Sequence, residues 1–169
     1  MTGVNTSAAP DWERKLDELL PLFGHRNWIV VADSAYPVQS KPGIETIVAG
    51  GEQIDAVRKV LEAIAAHKHI RASVYLDSEL GFVEEIDAPG IADYRMQLDA
   101  ALHGASVSRL PHEQIIHKLD QSALVFRILV VKTGMTISYT AVFFELDCGY
   151  WNAGAEKRLR EAMLASGLK

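Results

Sequence analysis

Residues 24–37 read Gly-His-Arg-Asn-Trp-Ile-Val-Val-Ala-Asp-Ser-Ala-Tyr-Pro, and the five from Trp28 to Ala32 decide the class of fold. A continuous apolar run rich in β-branched residues marks a strand buried on both faces, whereas a half-exposed strand would alternate. Upstream, Asp11 offers an N-cap to a helix whose Trp12, Leu16, Leu19 and Leu20 recur at helical spacing, stopping at Pro21 or soon after. Downstream, Asp33 opens a polar loop containing Pro37 and Pro42. Ile44–Ala49 then reads as a second strand, Gln53–Ala66 as a helix with Ile54, Val57, Leu61 and Ile64 on one face, and Ala72–Leu76 as a third strand. Strands and helices in this order predict an α/β domain with a mixed or mostly parallel sheet.

Further along, residues 77–93 hold six acids and no lysine or arginine, broken by Gly81, Pro89 and Gly90, and read as a solvated surface loop. Neither a calcium-loop spacing nor a clear carboxylate pair stands out in it. Tyr94–Leu102 is a predicted helix, Ser106–Leu110 a short strand, and Pro111 the first residue of a helix running to about Asp120. Ala123–Val131 and Thr136–Leu146 are rich in Val, Ile, Phe and Tyr, with Lys132–Met135 between them, which predicts a β-hairpin. Ala155–Ala165 closes the chain as a helix of mixed charge.

Composition narrows the function. With 169 residues, 49% apolar and 23% charged, the chain suits one soluble domain (11–169) behind a loose polar tail (1–10). A net charge of −5 without a Lys/Arg cluster argues against nucleic acid. Cys148 is the only cysteine, so neither an intramolecular disulfide nor a multi-cysteine zinc site is available. No stretch has the length and apolarity of a membrane span, and the first ten residues lack a basic and apolar leader, so a cytoplasmic protein is expected. Glycine-rich phosphate loops and a nucleophile elbow are absent.

What remains is His25 before the first strand, Asp33 directly after it, His112 at a helix start and Tyr139 in the last strand. A histidine near neutrality can take or give a proton, an aspartate can orient it or hold a hydroxyl, and a tyrosine adds a donor on a flat apolar ring. Each also has an ordinary reading: His25 as a loop residue, Asp33 as a turn cap, His112 as a surface residue and Tyr139 as packing. His67 and His69 flank Lys68 near a helix end and read as solvated; Trp28, Trp151 and Tyr150 could line a flat ligand platform, with Trp28 inside a buried strand reading rather as core.

Gly24-His25, an apolar strand and Asp33-Ser34-Ala35-Tyr36-Pro37, followed by Pro111-His112-Glu113-Gln114, Thr133-Gly134 and Tyr139, resemble the two motif blocks of the D-ribose pyranase and L-fucose mutarotase family. The resemblance spans most of residues 15–147. It implies a three-layer fold and a cofactor-free, metal-free isomerase that opens and recloses the ring of a free monosaccharide. It further implies His25 and Asp33 as catalytic residues, and His112 and Tyr139 as sugar ligands. Homo-oligomers, decamers among them, with sites between subunits are also implied. Two departures accompany it. Ala141 stands where the family places a sugar-binding asparagine, and His117 competes with His112 by spacing. A non-catalytic sugar- or polyol-binding oligomer, or a purely assembling protein, therefore stays open beside the enzyme.

Overall fold

The computed structural model describes residues 10–168. The expected tail of residues 1–10 lies outside this range apart from Pro10.

Among the described residues the α-helices and strands follow in the order α1 (Asp11–Leu19), β1 (Trp28–Ala32), β2 (Ile44–Val48), α2 (Gln53–Ala65), β3 (Ile70–Asp77), α3 (Ile91–Ala101), β4 (Ser106–Leu110), α4 (His112–Ser122), β5 (Ile128–Lys132), β6 (Val142–Cys148) and α5 (Ala153–Ala165). The strands form one sheet in the order β2-β5-β1-β6-β3-β4. β6 is antiparallel to both neighbours, while the other adjacent pairs are parallel. The expected mixed, mostly parallel sheet is therefore present.

All five residues of β1 are fully buried, as its unbroken apolar run requires. Alternate side chains serve opposite faces. Ile29 and Val31 join Leu129, Val131 and Phe144 under α1, α2 and α3, which bury Leu16, Val57, Val60 and Leu98. Trp28, Val30 and Ala32 join Ile128, Val130 and Phe143 under Ile115 and Leu119 of α4. Helices on both faces of one sheet make three layers.

The expected hairpin does not form. β5 and β6 lie on opposite sides of β1, Val30 facing Val130 of one and Phe143 of the other. Residues 133–141 must pass over the end of β1, so they form a longer connection than the four-residue turn at Lys132–Met135. Element boundaries differ as well. β5 and β6 begin well inside the expected Ala123–Val131 and Thr136–Leu146, so Tyr139, expected in the last strand, lies in the connecting loop. Asp11 and Pro111 are not cap and first residue as expected: Pro10 and Pro111 are the N-caps, and Asp11 and His112 begin the helices. α3 starts three residues early, because Gly90 turns with φ +95° and the Glu85 carboxylate accepts from the Gly90 and Ala92 N–H groups at 2.8 Å each.

The acidic stretch is only partly a solvated loop. Asp77 is the last residue of β3 and fully buried, and Ser78–Gly81 form a 3₁₀ turn. The expectation fails where the strand runs one residue beyond Leu76 and carries an acid inside. His67 and His69 are likewise not freely solvated. Both are half-buried, with His67 Nδ1 2.8 Å from the Ala63 carbonyl and His69 Nε2 3.0 Å from the Phe23 carbonyl.

Candidate functional site

At the C-terminal end of β1 the chain leaves the sheet at Asp33. The segment leading from β5 to β6 meets it there, held by Thr133 N–H donating to the Ala32 carbonyl (2.9 Å) and Ser34 N–H donating to the Met135 carbonyl (2.8 Å). Beneath it sits a buried polar knot. The Thr133 hydroxyl donates to Gln53 Oε1 (2.9 Å), Tyr94 donates to the Thr140 carbonyl (2.6 Å), and Gln53 also bonds the Thr140 carbonyl. Satisfied buried networks of this kind fix one backbone arrangement. The knot sets Tyr139 in position, in the left-handed region at φ +62°.

α4 enters the same corner from the other face of the sheet. The Glu79 carboxylate accepts from the His112 backbone N–H at 3.0 and 3.1 Å, capping the helix, and Asp77 Oδ2 lies 3.0 Å from His112 Nδ1. His112 meets the Tyr139 ring edge-on, with centroids 5.7 Å apart. Asp33, Tyr36, Gln39, His112 and Tyr139 thus line one cleft of about 360 Å³, large enough for a small polar ligand. Burial pushes the Asp77 carboxyl above its ordinary value; His112 opposes the shift, and Glu79 and Asp33 add to it.

The structure brings together Asp33, His112 and Tyr139 of the expected residues, but not His25 or His117. His117 points outward on α4 and lines neither this cleft nor the cavity beside His25. His25 sits at the opposite end of β1, against a separate cavity of about 720 Å³ that also includes Arg71, Asp147, Trp151 and Glu156. There His25 Nδ1 is 2.7 Å from Asp147 Oδ1, and Arg71 donates to Asp147 Oδ2 at 2.9 Å. Asp33 does not orient His25 within one chain, because the length of β1 separates them. Tyr150 and Trp151 are exposed beside this second cavity.

Backbone strain follows the same two places. Among the described residues, Arg26 (φ +74°) and Tyr139 are the non-glycine residues with positive φ; the first adjoins His25 and the second lines the cleft. Such conformations cost about 1–3 kcal/mol each and cluster where a site requires them. Asp77, Glu79 and Asp147 escaped the reading of the sequence. For Asp77 a signal existed, since it follows Val74-Tyr75-Leu76 as Asp33 follows Ile29–Ala32. For Asp147 there was none. Among the described residues, no group of three or more His, Cys, Asp or Glu side chains converges on a metal position, and no helix is long and apolar enough to cross a membrane.

A family model described as the RbsD / FucU transport protein family matches residues 12–148. The chain belongs to this family. Its α5 lies beyond the matched region. Solved structures agree in fold at low identity. RbsD of Bacillus subtilis, complexed with D-ribose, is 19% identical with a TM-score of 0.55, covering 90% of this chain and 98% of its own. The fucose mutarotase of Streptococcus pneumoniae, complexed with L-fucose, is 20% identical with a TM-score of 0.51, covering 87% and 98%. FucU of Bifidobacterium longum is 15% identical with a TM-score of 0.53, covering 79% and 94%. Comparison with curated protein sequences gave no significant match.

Proposed function

We propose that the protein is a cofactor-free mutarotase or pyranase that interconverts ring forms of a free monosaccharide. The observation that carries this reading is the convergence of Asp33, His112 and Tyr139 on one cleft, from a strand end, a helix start and a strained loop. Family membership and the sugar-bound relatives support it. Asp33 accepts hydrogen bonds from sugar hydroxyls. His112, with Nδ1 directed to Asp77, presents Nε2, and Tyr139 offers its ring and hydroxyl.

Ring opening removes a proton from the anomeric hydroxyl and delivers one to the ring oxygen as the C1–ring oxygen bond breaks. One imidazole can accept the first and return the second. His25 takes this part, contributed by a second copy of the chain, since β1 holds it away from its own cleft. The working form is accordingly a homo-oligomer with sites between subunits.

Anomer exchange measured by NMR saturation transfer over a panel of aldoses tests the proposal; exchange at the spontaneous rate for every sugar would overturn it. Exchange that survives exhaustive chelation is expected. A second reading rests on Ala141, buried at the mouth of β6 where the family asparagine would stand. Its methyl group can neither donate nor accept, which favours a protein that binds a sugar or polyol without turning it over. Calorimetric binding without exchange would establish that alternative.

A further inference from the structure

We infer that Asp147 is the positioning residue of His25, fixing which ring nitrogen keeps the lone pair that can accept a proton; this rests on the reading of His25 as the acid/base group. The two contacts of the imidazole agree on one tautomer. Nδ1 lies 2.7 Å from Asp147 Oδ1, and a carboxylate can only accept, so Nδ1 carries the hydrogen. Arg26 Nε donates to His25 Nε2 at 3.2 Å, and a guanidinium can only donate, so Nε2 carries the lone pair. Nε2 is then the basic atom.

Asp147 is itself held from three sides. Arg71 donates to Oδ2 at 2.9 Å, the Cys148 backbone N–H donates to Oδ1 at 2.7 Å, and His25 makes the third contact. The turn carrying His25 is tied to the same strand: Arg26 N–H donates to the Leu146 carbonyl (2.9 Å) and Leu146 N–H to the Asn27 carbonyl (2.8 Å). The Asn27 side chain closes the turn by accepting from Gly24 N–H at 2.8 Å. Stability alone does not account for this arrangement. The His25, Arg71 and Asp147 side chains are 59%, 47% and 38% exposed, a setting in which ion pairs add little. The strained Arg26 backbone, which helps aim the ring, works against folding rather than for it.

The test combines nitrogen NMR of His25 at alkaline pH with saturating exchange rates. Wild type should show the Nδ1–H form. Asp147→Ala should shift His25 toward the Nε2–H form and lower the saturating rate by roughly 10- to 100-fold, as loss of outer partners does for metal-bound imidazoles, with little change in half-saturating sugar. Asp147→Asn keeps the acceptors for Cys148 and Nδ1–H but not the charge. It covers the case in which the alanine variant fails to fold, and a reduced rate is expected. An unchanged tautomer in Asp147→Ala, or an Nε2–H form of His25 that still exchanges at the wild-type rate in Asp147→Asn, would overturn the inference. His25→Ala with wild-type exchange would instead sink the assignment of His25, and the tautomer measurement decides the role of Asp147 in either case.

Discussion

His25 and His112 each have an aspartate against Nδ1, but the two carboxylates lie in opposite surroundings. Partial burial works against the Asp147 carboxylate, yet hydrogen bonds from Arg71, Cys148 N–H and His25 outweigh it and hold its carboxyl below the usual range. Asp77 has no solvent contact, its Oδ1 has no partner, and burial raises its carboxyl. The sign of the pH dependence follows. A carboxyl raised in the folded state keeps its proton to higher pH than in the unfolded chain, so its ionisation lowers stability as pH rises through the folded value. Asp77→Asn should therefore gain stability relative to wild type as pH rises from about 4, measured by urea unfolding across a pH series; parallel curves would contradict this. His25→Ala should leave the fold intact and reduce anomer exchange by roughly 10²–10⁴-fold. Wild-type exchange in that variant would move the role to His112.

The strands show how far local pattern reaches. Trp28–Ala32 declared its burial because five consecutive apolar residues leave no polar face, and Asp33 was visible at its end. The supposed hairpin misled because β5 and β6 are both apolar and close in sequence, while the insertion of β1 between them depends on contacts a hundred residues distant. The same cause hid Asp147. Its partners His25 and Arg71 are 122 and 76 positions away, so no spacing could announce the cluster. Gly149 tests the junction that builds it. A Cβ there would sit 2.8 Å from both the nitrogen and the oxygen of the Ile70 backbone, forcing the end of β6 off the start of β3. Gly149→Ala should lower stability by about 1–3 kcal/mol in chemical denaturation. It should also displace Asp147 from His25, whereas an unperturbed midpoint would show that the junction yields freely.

For the molecule as a whole, β1 separates the His25 cavity from the cleft of Asp33, His112 and Tyr139. If neighbours complete them, His25→Ala and Tyr139→Phe chains, each inactive alone, should regain exchange when dissociated and reassembled together. A fully active monomer in sedimentation would rule this out. α5 buries none of its residues and lies beside the His25 cavity, with Glu156 bonded to Trp151 Nε1 at 2.8 Å.

The direction of β1 has a consequence for counting. If a neighbour's His25 completes the cleft of Asp33, each chain has one end that lends and one that receives, and the copies meet either as a reciprocal pair or head to tail. An open row of such chains always leaves one idle histidine and one unfinished cleft at its extremities. Only a closed assembly, a reciprocal pair or a circle, would have as many working sites as members. Activity per chain should then fall when such assemblies open, before the chains themselves unfold.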